Sequence, residues 1–514
     1  MKRKITARRA VSFAVPGILL AFVTSIAVSK AQTAAPAAKP VKKPVATVTV
    51  APPPQLVALR MKFQDFVKDP KRLDALNKAV GVMKTRSSAV NTTADYRRSW
   101  EYWSAMHGFY GPKAKAGLLQ DAIDDAPASK KKFFNGLRDL TYPPTPVGLA
   151  AKVWDQCQHG TLEFLTWHRM FLFYFEKTLQ ASAGDPSLHL PYWDYTDPTQ
   201  LQLPAQFAQP TLPGGKPNPL YDVRRRSQTV KLDSNATNID NLLKQASYGD
   251  FGPELEQQPH GYAHCTVGPD CPYPLMGDVP VAGTDPIFWL HHANIDRIFE
   301  CWLKLGGTVP NNLKNISHSF VDGTGALVTK TYATLPIDYA YDHTASCGRK
   351  ATLKFTPRPE GLEAVTPLAN VQSFQINGVR SAAKLPKLKP APATTEAVTP
   401  SGTELVLSDI TLAGPPGVLY NVYLSTTGAN PRKEYVATVS FFGVNHHGHG
   451  AISRKVDVTE ALNALKGKNG EAPDVEVEFE ATDGTPGVKP ESLEPVLNKK
   501  AALKVGKIQL QVKK

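Results

Sequence analysis

Six of the thirteen histidines in this chain fall into two groups whose spacing suits metal ligation. The first group is His107, His159 and His168, the last two within Cys157-Gln-His159-Gly-Thr-Leu-Glu-Phe-Leu-Thr-Trp-His168-Arg169. The second is Pro259-His260-Gly-Tyr-Ala-His264 followed by Asp285-Pro-Ile-Phe-Trp-Leu-His291-His292-Ala-Asn-Ile-Asp296-Arg297. Two imidazoles one helical turn apart can hold a single metal, and a third from the next helix completes a trigonal set. A lone histidine beside tryptophan in a helix is more often a packed, hydrogen-bonded core residue. Six of them in two aromatic-rich groups favour ligation. Imidazole-only sets suit Cu, Zn, Fe or Ni, and no carboxylate stands at the spacing a di-iron bundle needs. A structural zinc site would use cysteines and fill four positions. Three nitrogens per metal leave room for an exogenous oxygen ligand.

The elements that must position these rings follow from the spacing. His159 and His168 are nine apart and would sit on opposite faces of one continuous helix at 3.6 residues per turn. They converge only if His159 lies on a loop or preceding turn and His168 on the amphipathic helix that runs through Met170 to Leu179. Trp100 to Phe109 reads as a second helix, with His107 near its end. His260 and His264 share one helical face.

At these residues the sequence resembles the tyrosinase, catechol oxidase and hemocyanin family of type 3 copper proteins. His159-x4-Phe164-Leu-Thr-Trp167-His168-Arg169-x2-Leu172-x3-Glu176 is similar to the family's copper A signature, and Asp285-Pro-Ile-Phe288-Trp-Leu-His291-His292-x3-Asp296 to its copper B signature. Leu190-Pro-Tyr-Trp-Asp194 resembles a segment between them. The resemblance implies a mainly α, helical-bundle copper domain with irregular loops over residues 55–381. It implies a dinuclear site of two copper ions with O2 as co-substrate: His107, His159 and His168 at copper A, and His260, His264 and His292 at copper B. By the same resemblance His291 lies behind the ligands, Glu256 positions a water near copper B, and Val279, counted back from His292 without gaps, is the gate residue. Cys157 forms a thioether to His159 or stays a free buried thiol. Gly261 stands where strong monophenol hydroxylases carry Asn, which leaves oxidation of o-diphenols as the expected activity.

Composition bounds the rest. The chain has 514 residues, 42% apolar and 20% charged, enough for a sizeable core and two or three domains. Its 59 Lys and Arg against 45 Asp and Glu give +14, but nine of the basic residues and no acid fall in residues 1–54, leaving +5 on the other 460. The body is close to balanced, and no zinc-finger spacing, RNA-binding aromatic signature or basic helix argues for nucleic acid. Residues 1–31 read as an export signal: a basic start with Arg8-Arg9, an apolar run from Ala10 to Val28, and a small-residue site before the expected cut after Ala31. An uncleaved anchor is the alternative. Residues 32–54, rich in Ala, Pro and Lys, read as a tether. An exported chain tends to pair its thiols, and the expected bridges among five cysteines are Cys265 with Cys271 and Cys301 with Cys347, leaving Cys157.

Residues 382–400 repeat the Pro, Ala and Lys bias and read as a linker. Beyond it, Leu419 to Leu424, Tyr435 to Val444, Asp474 to Glu480 and Lys507 to Val512 carry strand patterns, with one helix at Thr459 to Leu465. Residues 401–514 are therefore expected to form an all-β sandwich or barrel. Tyr420-Asn-Val-Tyr-Leu424 and Ser440-Phe441-Phe442-Gly-Val444-Asn-His446 resemble the C-terminal domain of plant-type polyphenol oxidases, which in that family covers the copper site until it is cut away. Phe441 or Phe442 is then the plug at the substrate position, against plain core packing, and His446, His447 and His449 either pass copper inward or form a solvated turn. The expectation is an exported, latent oxidase of small phenols, activated by a protease. A hemocyanin-like oxygen carrier is the first alternative, and a β domain that tethers the protein to the envelope is the second.

Overall fold

The computed structural model describes residues 58–109, 146, 148–268, 275–342, 347, 365–387, 402–428, 430–443, 451–467 and 474–513. The export signal, the tether, Cys271, most of the 382–400 linker and the His446, His447 and His449 cluster lie outside them. Among the described residues no helix is long and apolar enough to cross a membrane.

Helices surround the histidines in the first domain. Helix α1 (Pro70–Arg86) starts with Pro in its first turn and Asp69 accepting from the Lys71 N–H, which satisfies a backbone donor that the helix cannot. Helix α2 (Trp100–His107) is capped in the same way by Ser99, which accepts from Tyr102. Helix α3 (Phe164–Ala183) ends where Gly184 turns left-handed at φ 68°, and α6 (Ile287–Lys304) is buried along most of its length. Between them lie α4 (Tyr248–Leu255) and α5 (Tyr262–Val267). Helix α1 packs on α3, and α3 on α6.

Charge fixes these helices as much as apolar packing does. Arg169 on α3 bonds Asp296 on α6 at 2.5 Å, and Asp296 also accepts from Arg60 at 3.3 Å and from the Tyr339 and Tyr341 hydroxyls at 2.7 Å each. Arg60 bonds Glu176 at 2.8 Å. Arg60 ends strand β1 (Ala58–Arg60), which pairs in parallel with β4 (Tyr339–Tyr341), while β2 (Ser317–Val321) and β3 (Leu327–Thr331) form a separate hairpin. The network thus pins the chain entry to both signature helices. Residues 199–250, which show no pattern in sequence, support the second histidine group. Arg225 pairs with fully buried Asp285 at 2.6 Å, and Arg226 donates to the carbonyls of Cys265, Thr266 and Gly268.

The second domain is a β sandwich of two four-stranded antiparallel sheets. Its strands are β5 (Val365–Gln375), β6 (Arg380–Lys384), β7 (Gly402–Thr411), β8 (Leu419–Thr426), β9 (Lys433–Val439), β10 (Ile452–Asp457), β11 (Val475–Thr482) and β12 (Lys504–Lys513). One sheet runs β10-β7-β12-β5 and the other β6-β11-β8-β9. Phe374 and Phe479 stack between them at 5.7 Å, and helix α7 (Thr459–Leu465) lies where the sequence pattern puts it.

This arrangement moves the expected boundary. Strands β5 and β6 pair with β12 and β11 inside the sandwich, so the domain begins near Val365 and not at 401. The 382–400 segment leaves β6 and leads to β7 as a connection within one domain. The chain that joins the two domains runs between Cys347, disulfide-bonded to Cys301 on α6, and Val365. The composition shift at 382 falls inside β6 and so marks no domain edge. Cys265 is disulfide-bonded, and its expected partner Cys271 lies outside the described residues.

The network generates a pH dependence. Paired with Arg60, the buried Glu176 carboxyl is held down at about 2, against about 4.3 when the chain is unfolded. A depressed carboxylate contributes stability that is present above the unfolded value and is lost as pH falls through the folded one. Denaturant titration should therefore show stability falling between about pH 4 and pH 2. Glu176→Gln should cost roughly 3–5 kcal/mol at neutral pH and shrink that acid-linked slope. An unchanged slope in the variant would remove Glu176 from the account.

Candidate metal centre

The expected loop and helix assignments bring the first group together. His107 ends α2, His159 lies on a loop and His168 on α3, and their ring centroids stand 5.1 to 5.7 Å apart. The long gap between His107 and His159 closes through the backbone. Asp155, Gln156 and Cys157 donate to the carbonyls of Ala105, Met106 and His107 at 2.9, 3.2 and 3.3 Å. Gly108 lets the Val279–Pro280 backbone come close to the end of α2, since a Cβ there would stand 2.7 Å from the Pro280 Cα.

In the second group His264 belongs to α5, whereas His260 belongs to the kinked segment Glu256–Gly261, which Gln258 interrupts at φ −149°, ψ 123°. The helical face expected for the pair survives only from His260 onward, with the rings 4.6 Å apart. His292 on α6 completes the group.

The two groups face each other. His168 stacks on His292 at 4.6 Å and 12°, and His159 on His260 at 5.6 Å and 29°. The donor atoms of His107, Cys157, His159 and His168 lie within 4.8 Å of one another, and so do those of His260, His264, His291 and His292. His291 thus comes closer than the sequence reading placed it. Its Nδ1 meets the Tyr195 hydroxyl at 2.9 Å, while its neighbour His292 is the ring that faces the first group.

The second ring nitrogens decide what the inner ones can do. The Nδ1 atoms of His107, His168, His260 and His264 meet the carbonyls of Val279, Phe164, Glu256 and Met276 at 2.7 to 3.0 Å. A carbonyl only accepts, so each Nδ1 carries the hydrogen and each Nε2 keeps a lone pair. Burial, then the neighbouring imidazoles, hold His168, His264 and His292 well below the ordinary histidine value, and push His291 down to about 3. Neutral imidazoles with inward lone pairs are the form that ligates a metal. The residues present fit a dinuclear copper centre.

The other residues singled out in the sequence lie around this centre. Val279 is fully buried, and its carbonyl orients His107. The ring over the imidazoles is Phe442 of the β domain, stacked on His264 at 3.9 Å and 9°, with His159 and His260 at 5.3 and 5.4 Å. Phe441 is buried in the core. The Cys157 Sγ lies 3.1 Å from Nδ1 and 3.7 Å from Nε2 of His159, and 3.3 Å from His168 Nε2. Burial pushes that thiol up. Glu256 accepts from the Gly160 N–H at 2.6 Å, which ties the two groups together, and burial raises its carboxyl to about 8.

Sequence reasoning gave no role to Phe288 and Phe164. Phe288 lies 4.7 Å from His107 and 4.2 Å from His292, and Phe164 lies 4.5 Å from His168 and 4.7 Å from His260. Both sit inside the quoted signatures, where aromatic residues beside ligands were the available signal.

Comparison with known proteins agrees with this geometry. Residues 97–228 and 208–305 match the common central domain of tyrosinase. Tyrosinase HcTyr1 of Hahella sp. (strain CCB-MM4) is 30% identical over 286 residues, 48% of this chain and 55% of that protein. Hemocyanin 1 of Megathura crenulata is 31% identical over 170 residues, 29% of this chain and 5% of that protein. The chain therefore spans about half of the first relative and a small part of the second. The structure of latent apple tyrosinase has the same fold, with a TM-score of 0.55 at 18% identity over 90% of this chain and 98% of that one. The paired histidine groups and the match over residues 97–305 together support the tyrosinase and polyphenol oxidase family of type 3 copper proteins for the helical domain.

Proposed function

We propose that the protein oxidises o-diphenols to o-quinones with O2, at a site its own β domain covers. The observation that carries this reading is the Phe442 ring, stacked flat on His264 between the two facing histidine groups. A planar aromatic side chain fills the position a phenol ring would take, and removing it would open a site shaped for that ring. Bound copper would supply the two-electron redox chemistry, held by His107, His159 and His168 on one side and His260, His264 and His292 on the other. The protein binds and orients the ring against His264, excludes bulk water, and offers the Glu256 carboxylate as an acceptor for the phenol proton, a form that gains population as pH rises toward about 8. Gly261 supports diphenol over monophenol oxidation, because it leaves Glu256 without the amide neighbour expected in strong hydroxylases. We place the protein outside the cytosol on the strength of residues 1–31 and of the Cys301–Cys347 bridge.

The hemocyanin match supports the oxygen-carrier reading of the same six histidines. Oxygen uptake separates the two. Copper-loaded protein carrying Phe442→Ala should consume O2 with a simple catechol at least about tenfold faster than the unaltered chain, and respond weakly to the corresponding monophenol. A cut between residues 348 and 364, followed by separation of the sandwich and resupply of copper, should do the same, whereas a cut between 388 and 400 falls between two strands of the sandwich. Protein that holds two coppers and consumes no O2 once uncovered would point to the carrier.

The sulfur position yields a separate expectation. Peptides spanning Cys157 and His159 from copper-loaded, aerated protein should be lighter by two hydrogens, the mark of a thioether. Complete alkylation of Cys157 in the same denatured sample would show that the thiol stays free.

A further inference from the structure

The β domain does not grip the two histidine groups alike. Among the described residues its hydrogen bonds and ion pairs to the helical domain fall on Arg226 and on the chain from Lys244 to Tyr262, which leads through His260. Gln258 departs from helical geometry two residues before His260, and three partners in the sandwich hold its amide. It donates to the Tyr435 hydroxyl at 3.2 Å and accepts from the Thr438 N–H at 2.9 Å and from Arg454 at 3.4 Å. Arg454 also pairs with buried Glu254 at 3.0 Å, and the Lys455 N–H bonds the same carboxylate at 2.6 Å. Ser440 donates to the Gln257 carbonyl at 3.3 Å. It lies so close to Gly261 that a Cβ there would stand 2.5 Å from its hydroxyl. On α5 the Tyr262 hydroxyl donates to the Gly484 carbonyl at 2.5 Å, and Arg226, which binds the carbonyls at the end of that helix, pairs with Asp483 at 3.3 Å.

We infer that the sandwich, acting chiefly through Gln258, positions His260 and so retains copper at the second histidine group. The inference rests on the dicopper reading and goes beyond it, since a cover need only block entry. A helix interrupted at Gln258 keeps its shape only where other groups satisfy the interruption, and β9 and β10 supply them. Gly261 fits this role as well. A larger residue there would push Ser440 and Phe442 away from the segment they hold. Gln258 is a positioning residue: it acts on the metal through His260, as outer partners of metal-bound histidines do.

Copper release to a chelator, read as copper per protein over time, tests this without reference to turnover. Two backgrounds isolate the sites: His168→Ala, which leaves copper to the second group, and His264→Ala, which leaves it to the first. Adding Gln258→Ala should speed copper loss about tenfold in the first background and leave the second unchanged. Tyr435→Phe removes one hydroxyl on the far side of the seam and keeps the ring, so it should act in the same direction, less strongly, should Gln258→Ala fail to fold. Equal acceleration in both backgrounds, or none in either, would overturn the inference. Failure of the unaltered chain to take up two coppers would instead overturn the dicopper reading.

Discussion

Two helices carry His168 and His292, and the separation between those rings is held by a carboxylate buried among cations. Asp296 lies one turn beyond His292 and accepts from Arg169, the residue next to His168. Removing one partner of such a pair leaves an uncompensated charge in a dry interior, at a cost of roughly 3–5 kcal/mol. Slippage of α3 against α6 is therefore costly, and the 4.6 Å stacking of His168 on His292 inherits that rigidity. Arg60, Glu176, Tyr339 and Tyr341 extend the same network to the start and the end of the helical domain. The signature motifs are as much about this spacing as about ligation.

Within that frame the electrostatics favour metal. Seven buried histidines crowd into a volume where a proton on any one would be opposed both by desolvation and by the others. Carbonyls at Nδ1 settle the tautomer for four of them, leaving lone pairs directed inward. Glu256 reaches across to the Gly160 N–H and ties the His159 loop to the His260 segment.

The sandwich meets this centre at its weaker half. Helices α3 and α6 are long and cross-braced, whereas His260 follows an interruption in its helix and depends on neighbours to hold it. Phe442 packs in from β9's far end, with Ser440 closing on Gly261. One surface thus lays a ring on His264 and hydrogen-bonds to Gln258 in the chain beneath it. A small residue at 261 is consistent with that close approach as well as with a preference for diphenols.

Much of this was legible in the linear chain. The spacing of nine between His159 and His168 forces a loop before a helix, four-residue spacing puts His260 and His264 on one face, and strand periodicity in 419–512 marks a β domain. Those are local consequences of helix and strand geometry, and they need no tertiary information. Tertiary structure alone decided the rest. It drew β5 and β6 into the sandwich, because strand pairing is a property of partners distant in sequence. It chose Phe442 over Phe441, since adjacent aromatics point in different directions and composition cannot say which way. It also made the Val279 carbonyl, and not its side chain, the group that bears on His107: backbone acceptors are the same at every residue, and only the fold brings one to a ligand.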